Sequence, residues 1–162
     1  MNRSPESTVQ AAALIRPATT GDVEAILALL SEYARMGNLL PRSRAEVTAG
    51  IEWFRVAESA GTVVACGALE IFTPDLAEIR SLVVAEDFKG TGTGRLVVER
   101  LIDDARGRGH RRLMALTYSP GFFHRLGFET VSKEMFPEKV WGICVSCYKF
   151  HRCDEIAVLK YL

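Results

Sequence analysis

Between Asp87 and Arg95 the chain reads DFKGTGTGR, with glycines at 90, 92 and 94 and a basic residue on each side. Glycines at that spacing let a ligand approach the main chain closely. If a helix starts there, its first amides point outward at the positive end of the dipole, and the chemistry that suits such a turn is the binding of a diphosphate. Lys89 and Arg95 are placed to neutralise phosphate oxygens, and Thr91 and Thr93 to donate hydroxyls. The candidate cradle is therefore Lys89, Gly90, Thr91, Gly92, Thr93, Gly94 and Arg95. It is not a nucleoside-triphosphate loop, because Gly94 is followed by Arg95 where Lys-Ser/Thr is needed. Nor does it match the dinucleotide fingerprint, which needs a glycine three residues after the second. A glycine-rich turn without a ligand is the plain alternative.

A second cluster lies near the end of the chain. Cys144, Cys147, His151 and Cys153 in CVSCYKFHRC have a spacing that could ligate zinc, although a zinc ribbon usually brings its second pair from farther away. Cysteines in a loop are the alternative and the preferred reading, with no metal in the chemistry and zinc, if bound, structural. The stretch from Ser132 to Asp154, which includes Lys139, Trp141 and Lys149, is long for a connection between strands and is expected to form a lid or wall.

Composition limits what these residues can belong to. The 162 residues are 48% hydrophobic and 25% charged, which fits one domain with a core of its own and excludes a disordered or fibrous chain. Lys plus Arg and Asp plus Glu number 20 each, so no overall charge favours nucleic acid or an anionic membrane. No apolar run approaches the roughly 20 residues of a bilayer span, and Met1 to Gln10 is not a secretion signal; a cytoplasmic protein is expected.

The elements that must position the cradle follow from periodicity. Residues 1–13 read as a polar tail, and 14–162 as one domain. LIRP is extended. A helix then follows, with Thr20 or Asp22 as cap and Val23, Ile26, Leu27 and Leu30 on one face, and Ser43 caps a shorter one. WFRVAES, TVVACGALEIF and AEIRSLVVA read as three antiparallel strands. From Thr93 the period turns helical, with Leu96, Val97, Leu101 and Ala105 stacked. RRLMALTY, FETVS and EIAVLKYL complete the strands, with a short helix in PGFFHRLGF. The expected order is β-α-α-β-β-β-α-β-α-β-β, a mixed, mostly antiparallel α/β sheet flanked by helices.

LVVAEDFKGTGTGRLVVERLIDDA followed by LTYSPGFFHRLGF resembles the acetyl-coenzyme A binding core of the GNAT N-acetyltransferases. The family signature is Gln or Arg, two residues, Gly, one residue, and Gly or Ala; it falls on Lys89, Gly92 and Gly94, with Lys89 a mild departure. IRPATTGDVEAILALL resembles the entry into the same fold. Within the family, GNLLPRSRAEV, LAEIRSLVV and PEKVWGICVSCYKFHRCDEIAVL are similar to the acetyltransferase domain of N-acetylglutamate synthases. The resemblance implies a stand-alone enzyme that moves acetyl from acetyl-CoA to the α-amine of L-glutamate, with no nucleic-acid or membrane partner and homodimerisation left open.

Amine attack on a thioester needs a base and oxyanion donors. Glu78 is the candidate base, in the strand that should splay beside acetyl-CoA. Regular alternation sends Glu78, Arg80 and Leu82 to one face and Ile79, Ser81 and Val83 to the other. Ser81 is placed to hold the acceptor's carboxylate or amine. The resemblance implies oxyanion donation from the backbone at Leu82 or Val83, and pairing of the pantetheine amides through Val84. Phe123 stands where many members carry a tyrosine acid, so Tyr118, Thr117, Ser119 or His124 would have to substitute, or coenzyme A leaves as thiolate, the favoured course. A dicarboxylic acceptor calls for guanidinium groups: Arg42, Arg44 and Arg80 are the candidates, with Thr117 beside them. Two competing readings are an acetyltransferase for another amine and a non-catalytic acetyl-CoA sensor.

Overall fold

A computed structural model of the chain describes residues 12–37, 42–136 and 155–162. Residues 1–11, which hold most of the expected tail, and Cys144, Cys147, Lys139, Trp141, Lys149, His151 and Cys153 lie outside the described residues.

The chain opens with β1 (Leu14–Pro17), α1 (Val23–Arg35) and α2 (Arg44–Ala49). The antiparallel strands β2 (Phe54–Ser59), β3 (Thr62–Ile71) and β4 (Leu76–Val84) come next, then α3 (Thr93–Gly107). β5 (Arg112–Thr117), α4 (Pro120–His124), β6 (Glu129–Val131) and β7 (Ile156–Tyr161) complete the fold. The order is the one that periodicity predicts. Among the described residues the strands form a seven-stranded sheet in the order β1-β2-β3-β4-β5-β7-β6, in which only β4 and β5 run parallel. A parallel neighbour needs a crossover, and α3 supplies it. No described helix is long and apolar enough to cross a membrane.

Local chemistry accounts for the helix starts. Ser43 and Glu46 form a capping box, with Ser43 Oγ accepting from the Glu46 amide at 3.1 Å. Ahead of α1, Thr19 and Asp22 form a second capping box around a single tight turn, Thr20–Asp22, and of the two expected caps it is Asp22 that stands at the start of α1. Arg16 holds that turn with two bonds to the Asp22 carboxylate, at 2.8 and 2.9 Å.

The helices cover two faces. On one, α3 lays Val97, Val98, Leu101, Ile102 and Ala105 against Ala57, Leu69, Ala77, Ile79 and Leu113. Leu96, expected in that stripe, is 43% exposed, because Val98 and Ile102 complete the apolar face and turn Leu96 to its outer flank. On the other face, Val23, Ile26 and Leu30 of α1 and Val47 of α2 pack on Phe54, Val56, Cys66, Ala68 and Val83. A separate cluster, Leu76, Met114, Phe136, Ala157 and Leu159, covers the far part of that same face.

Candidate acetyl-transfer site

β4 and β5 pair only at Leu76↔Arg112, Ala77↔Leu113 and Glu78↔Met114. Both strands continue past that last rung, β4 to Val84 and β5 to Thr117, so the sheet forks beyond Glu78. Backbone groups of β4 facing the fork lack a strand partner, and a narrow polyamide ligand can pair with them.

Within the fork β4 carries a bulge. Ala68 pairs with Arg80 and Cys66 with Val83, so Ser81 and Leu82 stand opposite Gly67 alone. Ser81 has φ 56°, a left-handed conformation uncommon outside glycine. The extra residue breaks the alternation that the sequence predicts. Val83 joins Cys66 and Ala68 on the α1 face, whereas Leu82 packs with Ile79 on the α3 face. Gly67 permits this because the α3 face is full: a Cβ there would come within 3.0 Å of Leu101 Cδ1 and of Val97 Cγ1.

At the end of β4 the glycine turn leads into α3. Gly90 and Gly92 have φ of 74° and 87°, and a Cβ at either would meet nothing within 4 Å, so the space beside the turn is open. Gly94 is required for a different reason, close packing, since its Cβ would lie 3.2 Å from Val84 Cγ2 and 3.6 Å from the Phe122 ring. The first main-chain bond of α3 runs from the Leu96 amide to the Gly92 carbonyl at 3.1 Å, which leaves the amides of Thr93, Gly94 and Arg95 without an intrahelical acceptor. These amides and the open turn fit a diphosphate. The flanking cations are engaged with acids: Lys89 Nζ lies 2.8 Å from Glu86, and Arg95 Nε 2.8 Å from Glu99. Thr91 and Thr93 share a hydroxyl contact of 2.9 Å, with Thr93 buried.

The α1 face of the fork holds the charged candidates. Glu78 is 3% exposed and sits across from Glu70 on β3 and Met114 on β5. Arg80, two residues on, shares that face. Arg42 reaches over from the start of α2, its guanidinium 5.6 Å from the centroid of the Phe54 ring and its Nη1 donating to Ser81 Oγ at 3.0 Å. Its Nε is buried without a hydrogen-bond partner among the described residues, and Glu46 Oε2 stands 3.9 Å away. Burial, then the neighbouring Arg80, presses its pKa down from the usual arginine value. Arg44 lies apart from this group, exposed and ion-paired with Glu24 of α1. Beneath the bulge, Cys66 donates its thiol to the Ser81 carbonyl at 3.4 Å, and burial pushes its pKa up to about 12.

Across the fork, Thr117 Oγ1 accepts from the Ser119 amide at 2.8 Å, and Tyr118 is 39% exposed. Phe123 is 4% exposed and meets Phe122 and Phe128 edge to face, at 5.1 and 5.2 Å. It is thus a core residue, and the ring beside the glycine turn is Phe122. His124 Nε2 lies 2.7 Å from Thr130 Oγ1. Among the described residues no group of three or more His, Cys, Asp or Glu could hold a metal ion. Glu70, Gly67, Phe122 and Tyr33, whose hydroxyl donates to the Val84 carbonyl, lie beside the fork or the turn and are not singled out by the sequence. Only the strand register brings Glu70 to Glu78, and nothing in the local pattern sets Tyr33 apart from its helix.

The family model of the acetyltransferase (GNAT) family matches residues 24–128. An uncharacterized N-acetyltransferase of Chlorobaculum tepidum is 40% identical over 91% of this chain and 96% of its own. The amino-acid acetyltransferase of Mycobacterium tuberculosis is 37% identical, over 77% of this chain and 76% of its own. That of Neisseria meningitidis serogroup A is also 37% identical, but this chain spans only 29% of its length. Among solved structures, N-acetylglutamate synthase of Neisseria gonorrhoeae, complexed with coenzyme A and N-acetyl-glutamate, superposes with a TM-score of 0.84 at 32% identity. The match covers 94% of this chain and 36% of that one. A Mycobacterium tuberculosis protein in complex with CoA and NLQ superposes at 0.80 and 32% identity, covering 92% and 99% of the two chains. The chain belongs to the acetyltransferase (GNAT) family.

Proposed function

We propose that the chain transfers the acetyl group of acetyl-CoA to the α-amine of L-glutamate by direct attack in a ternary complex. Arg42 is the observation that carries the acceptor. A guanidinium with one buried, unbonded N–H, seated beside a second arginine and with the Glu46 carboxylate no nearer than 3.9 Å, is costly unless a closer anion completes it. A carboxylate of the acceptor supplies that anion, and Arg80 is in place for the second. Glu70 and Glu78, acids on the same face, complement an ammonium group. A dicarboxylic amino acid would thus find a guanidinium for each carboxylate and an acid for its ammonium. The amino-acid acetyltransferases and the N-acetylglutamate complex among the relatives support the same reading.

In this reading the glycine-turn amides from Gly90 to Arg95 hold the diphosphate, and the β4 backbone through Val84 pairs with the pantetheine arm. Glu78 accepts a proton from the α-ammonium, and the freed amine attacks the thioester carbon. The carbonyl oxygen takes the negative charge and is met by an amide of the bulge, at Leu82 or Val83. The C–S bond then breaks, and the second proton of the attacking nitrogen passes to solvent. A thiol of pKa about 8.5 leaves as thiolate without a proton donor, so Phe123 is no obstacle. Ser81 fixes Arg42 through its hydroxyl and thereby the carboxylate that Arg42 binds.

The test is thiol release by purified protein with acetyl-CoA and each of twenty amino acids. Release that depends on glutamate supports the proposal. Release with a different amine reassigns the acceptor, and none with any amine makes the chain an acetyl-CoA sensor.

A further inference from the structure

Lys89, the basic residue expected at the phosphates, is engaged on the other side of the loop. Its ammonium lies 2.8 Å from Glu86 Oε2 and 4.9 Å from the centroid of the Tyr33 ring. Both contacts favour its charged form, Glu86 first, and hold its pKa above the usual lysine value. Tyr33, in the last turn of α1, also donates its hydroxyl to the Val84 carbonyl at 3.1 Å, a contact spanning 51 residues of sequence. One side chain therefore holds both ends of the segment that joins β4 to the glycine turn. Val84 is the last residue of the strand, and Lys89 the last before Gly90. The same ring borders a cleft of about 250 Å³ between α1 and the end of β4, whose wall includes Leu29, Met36, Val83 and Val84.

We propose that Tyr33 is a positioning residue for the diphosphate loop. Its hydroxyl fixes where β4 ends and its ring fixes Lys89, so the amides beyond Gly90 are set in place before the ligand arrives. A loop held ready loses less conformational freedom on binding, and the gain falls on the ligand part that the loop touches. The inference rests on the acetyl-CoA reading given above. It assigns Lys89 a different part from that of a phosphate clamp: the ammonium anchors the loop to α1, and the amides do the binding.

The contrast between two thioesters separates this role from a general structural one. S-acetylpantetheine carries the reacting thioester but no diphosphate. Tyr33→Phe keeps the ring and removes the hydroxyl, Lys89→Met removes the cation, and Lys89→Arg restores it. The measurements are coenzyme A affinity by calorimetry, and kcat/KM for acetyl-CoA relative to that for S-acetylpantetheine, with melting temperature followed alongside. One lost hydrogen bond or cation–π contact corresponds to about threefold to tenfold. Tyr33→Phe and Lys89→Met should each weaken coenzyme A by about that factor and lower the preference for acetyl-CoA over S-acetylpantetheine to match. Lys89→Arg should recover most of the loss, and Tyr33→Leu should cost less in the Lys89→Met background than in the wild type. An unchanged preference in both single variants overturns the proposal, as does an equal loss on the two thioesters. Wild-type protein without coenzyme A affinity would instead remove the acetyl-CoA reading itself, and with it the loop's ligand.

Discussion

Arg42 Nη1 donates to Ser81 Oγ at 3.0 Å, and the two residues are 39 apart in the chain. The bond joins the start of α2 to the one residue of β4 with positive φ. The hydroxyl orients Arg42, and with Glu46 3.9 Å from its Nε the guanidinium has room for a closer carboxylate. Charge-assisted hydrogen bonds contribute about 1.5–3 kcal/mol each. Arg42→Ala should therefore raise KM for glutamate by about tenfold to a hundredfold and move KM for acetyl-CoA by less than about twofold. Steady-state kinetics with each substrate varied in turn makes the comparison, and an unchanged glutamate KM would remove Arg42 from the acceptor site.

Glu78 stands at the last rung before the strands diverge, 3% exposed, with the fork opening just beyond it. A carboxylate there can take a proton from an amine held against β4, and an amide of the same shape cannot. Glu78→Gln should lower kcat by about 10²- to 10⁴-fold while coenzyme A affinity, measured by calorimetry, stays near that of the wild type. A kcat within a few-fold of wild type would mean that water removes the proton unaided.

Much of this arrangement is legible in the sequence, and the limits have physical causes. The element order follows from periodicity because each helix has a clear apolar stripe and each strand is bounded by turn residues. The glycine turn is legible because Gly90 and Gly92 require left-handed backbone. The faces of β4 beyond Arg80 are not. A bulge depends on what lies across the sheet, here Gly67 pressed against Val97 and Leu101, and period-two counting has no access to that. Glu70 is hidden for the same reason, since a register of β3 on β4 is needed to bring it to Glu78. Phe123 illustrates a further limit. A motif position identifies which residue replaces a tyrosine, whereas only packing shows that the phenyl group has become part of the core.

In the proposed reading, Gly92 links local backbone strain to ligand affinity. With φ 87° and open space where a Cβ would stand, Gly92→Ala meets no atoms, and its cost is purely conformational. A left-handed alanine costs about 1–2 kcal/mol, and in a chain of this size each kcal/mol lowers Tm by about 2–4 °C. A drop of that order in a thermal melt should accompany a larger proportional loss of coenzyme A affinity, because the relaxed turn also misdirects the amides of Thr93 and Gly94. Equal affinity in the variant would show that the amides are not what holds the diphosphate.

Stability at low pH should depend on the opening turn. Two bonds from Arg16, and a third from the Thr19 amide at 2.8 Å, hold the Asp22 carboxyl at about 2, below its ordinary value of 3.8, with burial opposing them. A depressed carboxyl means that the unfolded chain binds the proton more readily than the folded one. The stabilisation is therefore complete above about pH 5 and is lost as pH falls through 4 toward 2. The shift corresponds to about 2 kcal/mol. Asp22→Asn should be less stable than wild type by about that amount at pH 7, as read by urea unfolding, and by only about 0.5 kcal/mol at pH 2. A gap that stays constant between the two pH values would mean that Asp22 acts through its cap geometry alone, without its charge.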